Sequence, residues 1–299
     1  MHLRQIKEIA GMFKEAFSAW TSHKTPRFGA ALAYYTVFAI APLFLIALSV
    51  AGFFFGKEAA SQELFNQVSG LVGHNGGQAI QSLVAAADKP RASAWATAAA
   101  ITTLLLGATA VFVELQDDLN TIWNVEPKPG RGLREFIRHR LLSFAMVLGV
   151  GFLLLVSLSL NAALAAVGKF ASGFLPEERI LWAVVNFLVS LGVITMLFAM
   201  IFKLLPEVKI SWRNVWVGAF VTALLFNLGK TLIGIYLGRS SVVSAYGAAG
   251  SFIILLLWVY YSAQIVFFGA EFTRVHAGRQ SKESTPIRPE VRPLFSGRT

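Results

Sequence analysis

Four carboxylates and one lysine stand in or beside long apolar runs, where charge is expensive. Lys230 follows Phe226-Asn227-Leu228-Gly229 inside one run; Glu114, Asp117 and Asp118 close another, and Glu271 lies near the end of a third. An ionisable group in hydrocarbon marks a candidate functional site. Lys230, with Asn227 one helical turn before it and Tyr246 further along, is therefore a candidate site for an anionic substrate or lipid headgroup. The same lysine can also snorkel to the interface without chemical work.

The i, i+3 and i, i+4 spacings place Glu114 on one helix face with Asp117 and Asp118, and Glu271 could join them. Carboxylates gathered in a low dielectric disfavour each other's ionisation unless a cation intervenes. That chemistry suits a proton or cation site in a coupled carrier. The competing reading pairs the carboxylates with nearby basic side chains, above all Arg27, Arg213 and Arg274.

The elements that must carry these residues follow from composition. The chain has 299 residues, 56% hydrophobic and 14% charged, with mean hydropathy +0.62. Soluble domains carry about 25% charged residues. Apolar blocks of about twenty residues or more, the length needed to cross about 30 Å of hydrocarbon, make lipid the expected solvent. Such continuous runs are helices rather than the short alternating strands of a barrel.

The expected fold is an all-α, polytopic membrane bundle with six spans near 28–55, 95–121, 141–167, 180–203, 214–237 and 248–273. Residues 1–27 form an amphipathic segment, with Ile6, Ile9, Phe13, Phe17 and Trp20 at helical spacing, for the membrane interface or for packing on the bundle. Residues 274–299 are expected to be a disordered basic tail, rich in Pro and Arg towards its end.

The basic residues fix an orientation. Nineteen Lys and Arg fall in the amino-terminal segment, the second and fourth loops and the tail, six fall on the other side, and Lys230 completes the twenty-six. Positive charge collects on the cytoplasmic side, so both termini are expected there. This also accounts for the net charge of +10 without nucleic acid.

The stretch from Gly56 to Ala94 has apolar residues at helical spacing on both sides of His74-Asn75-Gly76-Gly77, and is expected to be a helical hairpin capping the outer mouth. Pro42 interrupts the first span's hydrogen bonding and is a candidate hinge. Gly52 and Gly56, like Gly234 and Gly238, match a close-packing motif, which would let spans one and five touch.

Signals of soluble enzymes are missing. There is no cysteine, the five histidines are scattered, and neither HExxH nor a phosphate-binding loop is present. No catalytic residue, metal or cofactor is expected. Oligomeric state leaves no signature.

Three stretches carry a family likeness: Gly29-Ala30-Ala31-Leu32-Ala33-Tyr34-Tyr35 with Pro42 downstream, Glu114 to Trp123, and Pro206 to Glu271 with its Trp212-Arg213, Lys230, Tyr246-Gly247-Ala248-Ala249-Gly250-Ser251 and closing Gly269-Ala270-Glu271. In order and spacing they resemble the YihY/BrkB family of bacterial inner-membrane proteins. The resemblance, covering about residues 20 to 277, implies a multi-pass inner-membrane protein. Some members are associated with virulence or serum resistance, and the family once bore the label ribonuclease BN. The chain itself offers neither a clustered metal site nor a soluble domain to receive RNA. The expected function is a transporter or lipid-handling permease, with membrane lipids, including anionic headgroups, as partners; a non-transporting envelope scaffold is the alternative, and a ribonuclease stands last.

Overall fold

The computed structural model describes residues 2–87, 110–125, 179–239 and 250–284. Within them the chain forms α1 (His2–Ser22), α2 (Thr25–Phe55), α3 (Lys57–Ala87), α4 (residues 110–122), α5 (Arg179–Leu204), α6 (Trp212–Arg239) and α7 (Gly250–Ser284). There is no strand among the described residues. The third expected span, 141–167, lies outside them. By length and composition alone, stretches Phe187–Leu204, Trp212–Ile233 and Phe252–Gln280 are each able to cross a membrane.

α7 is the axis of the bundle and packs against α1, α2, α3 and α6. Two apolar cores flank it. One joins Leu115 and Leu119 of α4, Phe198 and Phe202 of α5, Ala219 of α6 and Phe267 of α7; the other joins Leu48 of α2, Leu64 and Val84 of α3 and Leu255 of α7.

The α6–α7 crossing rests on a reciprocal pattern absent from the sequence reading. Gly218-x-x-x-Thr222 on α6 meets Gly269-x-x-x-Thr273 on α7. A Cβ on Gly218 would overlap Thr273, and one on Gly269 would overlap Thr222. Each threonine hydroxyl donates to its own helix's glycine carbonyl four residues back, at 2.7 Å for Thr222 and 2.6 Å for Thr273. The hydroxyls are thereby satisfied inside an apolar contact, while small residues let the backbones approach.

The close-packing motif at Gly52 and Gly56 has a different use from the one expected. Gly56 ends α2 at φ 84°, and nothing lies within 4 Å of where its Cβ would be. Its task is the left-handed turn into α3, which few residues other than glycine adopt without strain. α2 packs mainly on α3 and α7.

Helical hydrogen bonding runs unbroken from Lys57 to Ala87, yet the chain doubles back. A Cβ on Gly77 would overlap the Ser69 side chain, although eight residues of straight helix span about 12 Å. Ser61 and Phe65 likewise share with Gln81 and Val84 a cavity of about 560 Å³. The hairpin geometry is present, with its bend made inside a helically bonded segment rather than in an open loop at His74–Gly77.

Two boundaries move. α1 is docked on α7 through Phe13, whose ring lies 6.1 Å from that of Phe268 and 5.0 Å from that of Phe272, while Phe17 on another face stays exposed. α7 continues past 273 to Ser284. The first part of the expected tail is thus ordered helix, held by Arg279, which pairs with Glu15 of α1 at 2.6 Å; residues 285–299 lie outside the described set.

Candidate functional site

Glu271 sits on the α7 face that meets the α1–α2 corner, and it is 0% exposed. Lys24 takes a left-handed conformation (φ 54°) and Pro26 opens α2, so the chain turns sharply just after His23. His23 Nδ1 comes to 2.5 Å from Glu271 Oε1. On the other oxygen, Arg274 Nε donates at 3.1 Å, and its Nη2 lies at 3.0 Å. Both oxygens are engaged, as a buried carboxylate requires.

This corrects the expectation that Glu271 joins the acidic cluster. Its partners are His23 and Arg274, and the ion-pairing alternative describes it. Nor does Glu271 pair with Lys230, since His23 and Arg274 engage its two oxygens.

Glu114, Asp117 and Asp118 share α4, as their spacing implies. Asp117 is exposed, Glu114 half-buried and Asp118 buried at 6% exposure. Asp118 Oδ2 has no hydrogen-bond partner among the described residues. Two residues on, Asn120 Oδ1 accepts the Glu207 backbone N–H at 2.8 Å and ties the end of α4 to the segment after α5. Among the described residues no three His, Asp or Glu side chains form a group able to hold a metal ion.

Of the candidate anion site, Lys230 is half-buried on α6, with no hydrogen bond or ion pair to another described residue. Asn227 is occupied within its own helix, donating Nδ2 to Ala223 O at 3.0 Å. Tyr246 lies outside the described residues, so its distance from Lys230 is not part of this geometry. Pro42 lies within α2, which stays helical on both sides of it.

Sequence reasoning missed Gln264. Both its amide nitrogen and its amide oxygen are buried without a partner among the described residues, against α2 where Gly29 leaves room. A Cβ on Gly29 would overlap the Gln264 amide and lie 3.5 Å from the Tyr260 ring. The signal was available, since a glutamine inside the apolar run from Phe252 to Ala270 is as conspicuous as a lysine. His23 gave no such signal, because its partner is 248 residues away in sequence.

Long apolar helices around a central helix, with buried polar side chains between them, define an α-helical integral membrane protein. The profile of the virulence factor BrkB family matches residues 16–293, and the chain belongs to that family. It is 29% identical over 269 residues to a UPF0761 membrane protein of Azotobacter vinelandii, covering 85% of this chain and 60% of that protein. A UPF0761 membrane protein of Mannheimia succiniciproducens is 26% identical over 91% of both chains. The ribonuclease-like protein YfkH of Bacillus subtilis is 23% identical, over 91% of this chain and 98% of its own. The chain spans about three-fifths of the length of relatives such as the Azotobacter protein. No solved structure matches.

Proposed function

We propose that this protein is a transporter or lipid-handling permease for an anionic amphiphile, lying in the bacterial inner membrane with both termini cytoplasmic. The observation that carries this reading is the Gln264 amide, buried without a partner between α2 and α7. Leaving a buried polar group unpaired costs about 1–3 kcal/mol. That cost is offset when a polar substrate group passes between the helices and takes up the amide. Asp118 is a second such group, suited to a proton or cation that moves with the substrate, and Lys230 attracts the anionic end. The orientation is supported by the nineteen basic residues on one side of the spans against six on the other.

The test is transbilayer movement of fluorescent phosphatidylglycerol in proteoliposomes. Wild type should accelerate it. Gln264→Leu should abolish the acceleration and leave melting unchanged or raised, because an apolar side chain removes an unsatisfied amide. Full activity in Gln264→Leu would remove Gln264 from the pathway and with it the main support for transport.

The competing scaffold reading draws on the ordered end of α7, which Arg279 fastens to α1 and from which the basic tail departs. Deleting residues 285–299 leaves that helix intact. A scaffold would then lose its co-purifying partners, whereas a permease would keep its flux. The ribonuclease-like name of YfkH would apply here only if the pure protein cleaved RNA.

A further inference from the structure

At the end of the bundle where α6 begins, a cavity of about 800 Å³ opens between the end of α4, the α5–α6 connection and the last turns of α7. Its size lies within the range of small-molecule pockets, about 300–1,000 Å³. Lys209, Arg213 and Arg274 line it, and no carboxylate does among the described residues. Arg274 is shared with Glu271. Lys209 and Arg213 form no ion pair with any described residue.

Three further features give the cavity a built interior. First, it faces the start of α6, a helix of 28 residues. The N–H groups at a helix start carry partial positive charge; here that of Asn214 is already capped by Ser211, which leaves the residues before it to face the cavity. Second, Asn214 lines the cavity at 7% exposure, and its Oδ1 has no partner among the described residues. Third, Trp123 lines it with a buried indole N–H that also lacks an acceptor. The wall is held in place without ligand. Lys203 Nζ donates to the Ile210 carbonyl and lies 5.4 Å from the Trp212 ring centroid, and Asn120 holds the Glu207 amide.

We propose that this cavity binds a phosphate-bearing group. Guanidinium forks, an ammonium and a helix start supply donors in the number and sign that phosphate oxygens take up. The unpaired Asn214 acceptor fits a hydroxyl, either of a protonated phosphate or of a polyol attached to it. The site goes beyond the transport reading and does not depend on it, because a scaffold could hold the same ligand.

Binding is measured at equilibrium, with no flux, on the full chain in phosphatidylcholine nanodiscs. Two probes are titrated calorimetrically: inorganic phosphate and soluble dihexanoyl phosphatidylglycerol. Lys209→Gln/Arg213→Gln removes two lining charges. Lys7→Gln/Lys14→Gln, on exposed positions of α1, removes two that do not line the cavity. Melting curves establish that both variants fold.

The cavity variant should bind about tenfold more weakly or worse, and the α1 variant should stay within about twofold of wild type. Binding of both probes supports the site and assigns it to phosphate itself. Binding of the lipid probe alone supports it and assigns it to a headgroup in the leaflet. Equal weakening in both variants would reduce the effect to diffuse surface charge and overturn the proposal, as would a wild type that binds neither probe. Loss of flux in Gln264→Leu with phosphate binding intact would separate this site from the transport pathway.

Discussion

Glu271 and Asp118 are both buried carboxylates, at 0% and 6% exposure, but their surroundings differ. Glu271 is matched on both oxygens, by His23 and by Arg274, and so joins α1, α2 and α7 at one corner. Asp118 keeps an oxygen with nothing to accept from. A satisfied buried charge is a structural fastening; an unsatisfied one is a cost that packing does not explain. Burial alone does not separate the two, whereas the partners do.

Five substitutions, one of them with a rescuing second change, would break or sharpen this contrast, with unfolding in detergent as the common measurement. The largest loss is expected from Arg274→Met, which leaves Glu271 buried with His23 alone. Removing one partner of a buried pair costs about 3 kcal/mol or more. Glu271→Gln should cost less, because the side chains left behind are partly exposed, His23 at 21% and Arg274 at 26%. If the two variants were equally stable, the corner would not be held by charge.

Gly269→Val comes next. The added methyls would drive into Thr222, at a cost of about 2 kcal/mol for overpacking. Since Gly269 is two residues from Glu271, the same variant should loosen the His23 contact. Adding Thr222→Ala should restore part of the loss, and a rescue of zero would mean that the crossing does not depend on this fit.

Asp118→Asn is the counterpart of the first test. Replacing an unpaired ionisable group should change stability by less than about 1 kcal/mol while lowering flux in proteoliposomes. A loss as large as that of Arg274→Met would show that Asp118 is a fastening after all.

The smallest effect is expected from Glu15→Ala. Its pair with Arg279 lies at the surface, with the side chains 57% and 33% exposed, and such pairs contribute about 0.5 kcal/mol. A much larger loss would place α1 among the elements that hold the bundle together.

The membrane helices were legible because length and apolar content decide crossing, and the boundaries of α2, α5 and α6 fall within a few residues of the expected spans. Where the reading slipped, long-range contact had overridden local pattern. Along the extension of α7 to Ser284, Arg279 reaches Glu15 of α1, a contact that nothing in the sequence after 273 announces. Gly56 matched a packing motif but serves a turn, while the pairs that do pack, Gly218 with Thr273 and Gly269 with Thr222, carry a threonine where the motif has its second glycine. For the site, residue type singled out Lys230 and Asp118, but only coordinates could assign His23 to Glu271 or leave Gln264 without a partner.

The length of α7 has a mechanical consequence. As one uninterrupted helix of 35 residues, it measures about 52 Å at 1.5 Å per residue, well beyond the roughly 30 Å of hydrocarbon it crosses. A rod of that length can act as a lever. A tilt of about 5° about the crossing at Gly269 displaces Gln280, about 16 Å further along, by roughly 1.4 Å, and Gln280 stands with Arg274 on the wall of the cavity of about 800 Å³. The Gly–Thr crossing lies near its middle, so a tilt about that contact would move the two ends of the helix in opposite directions.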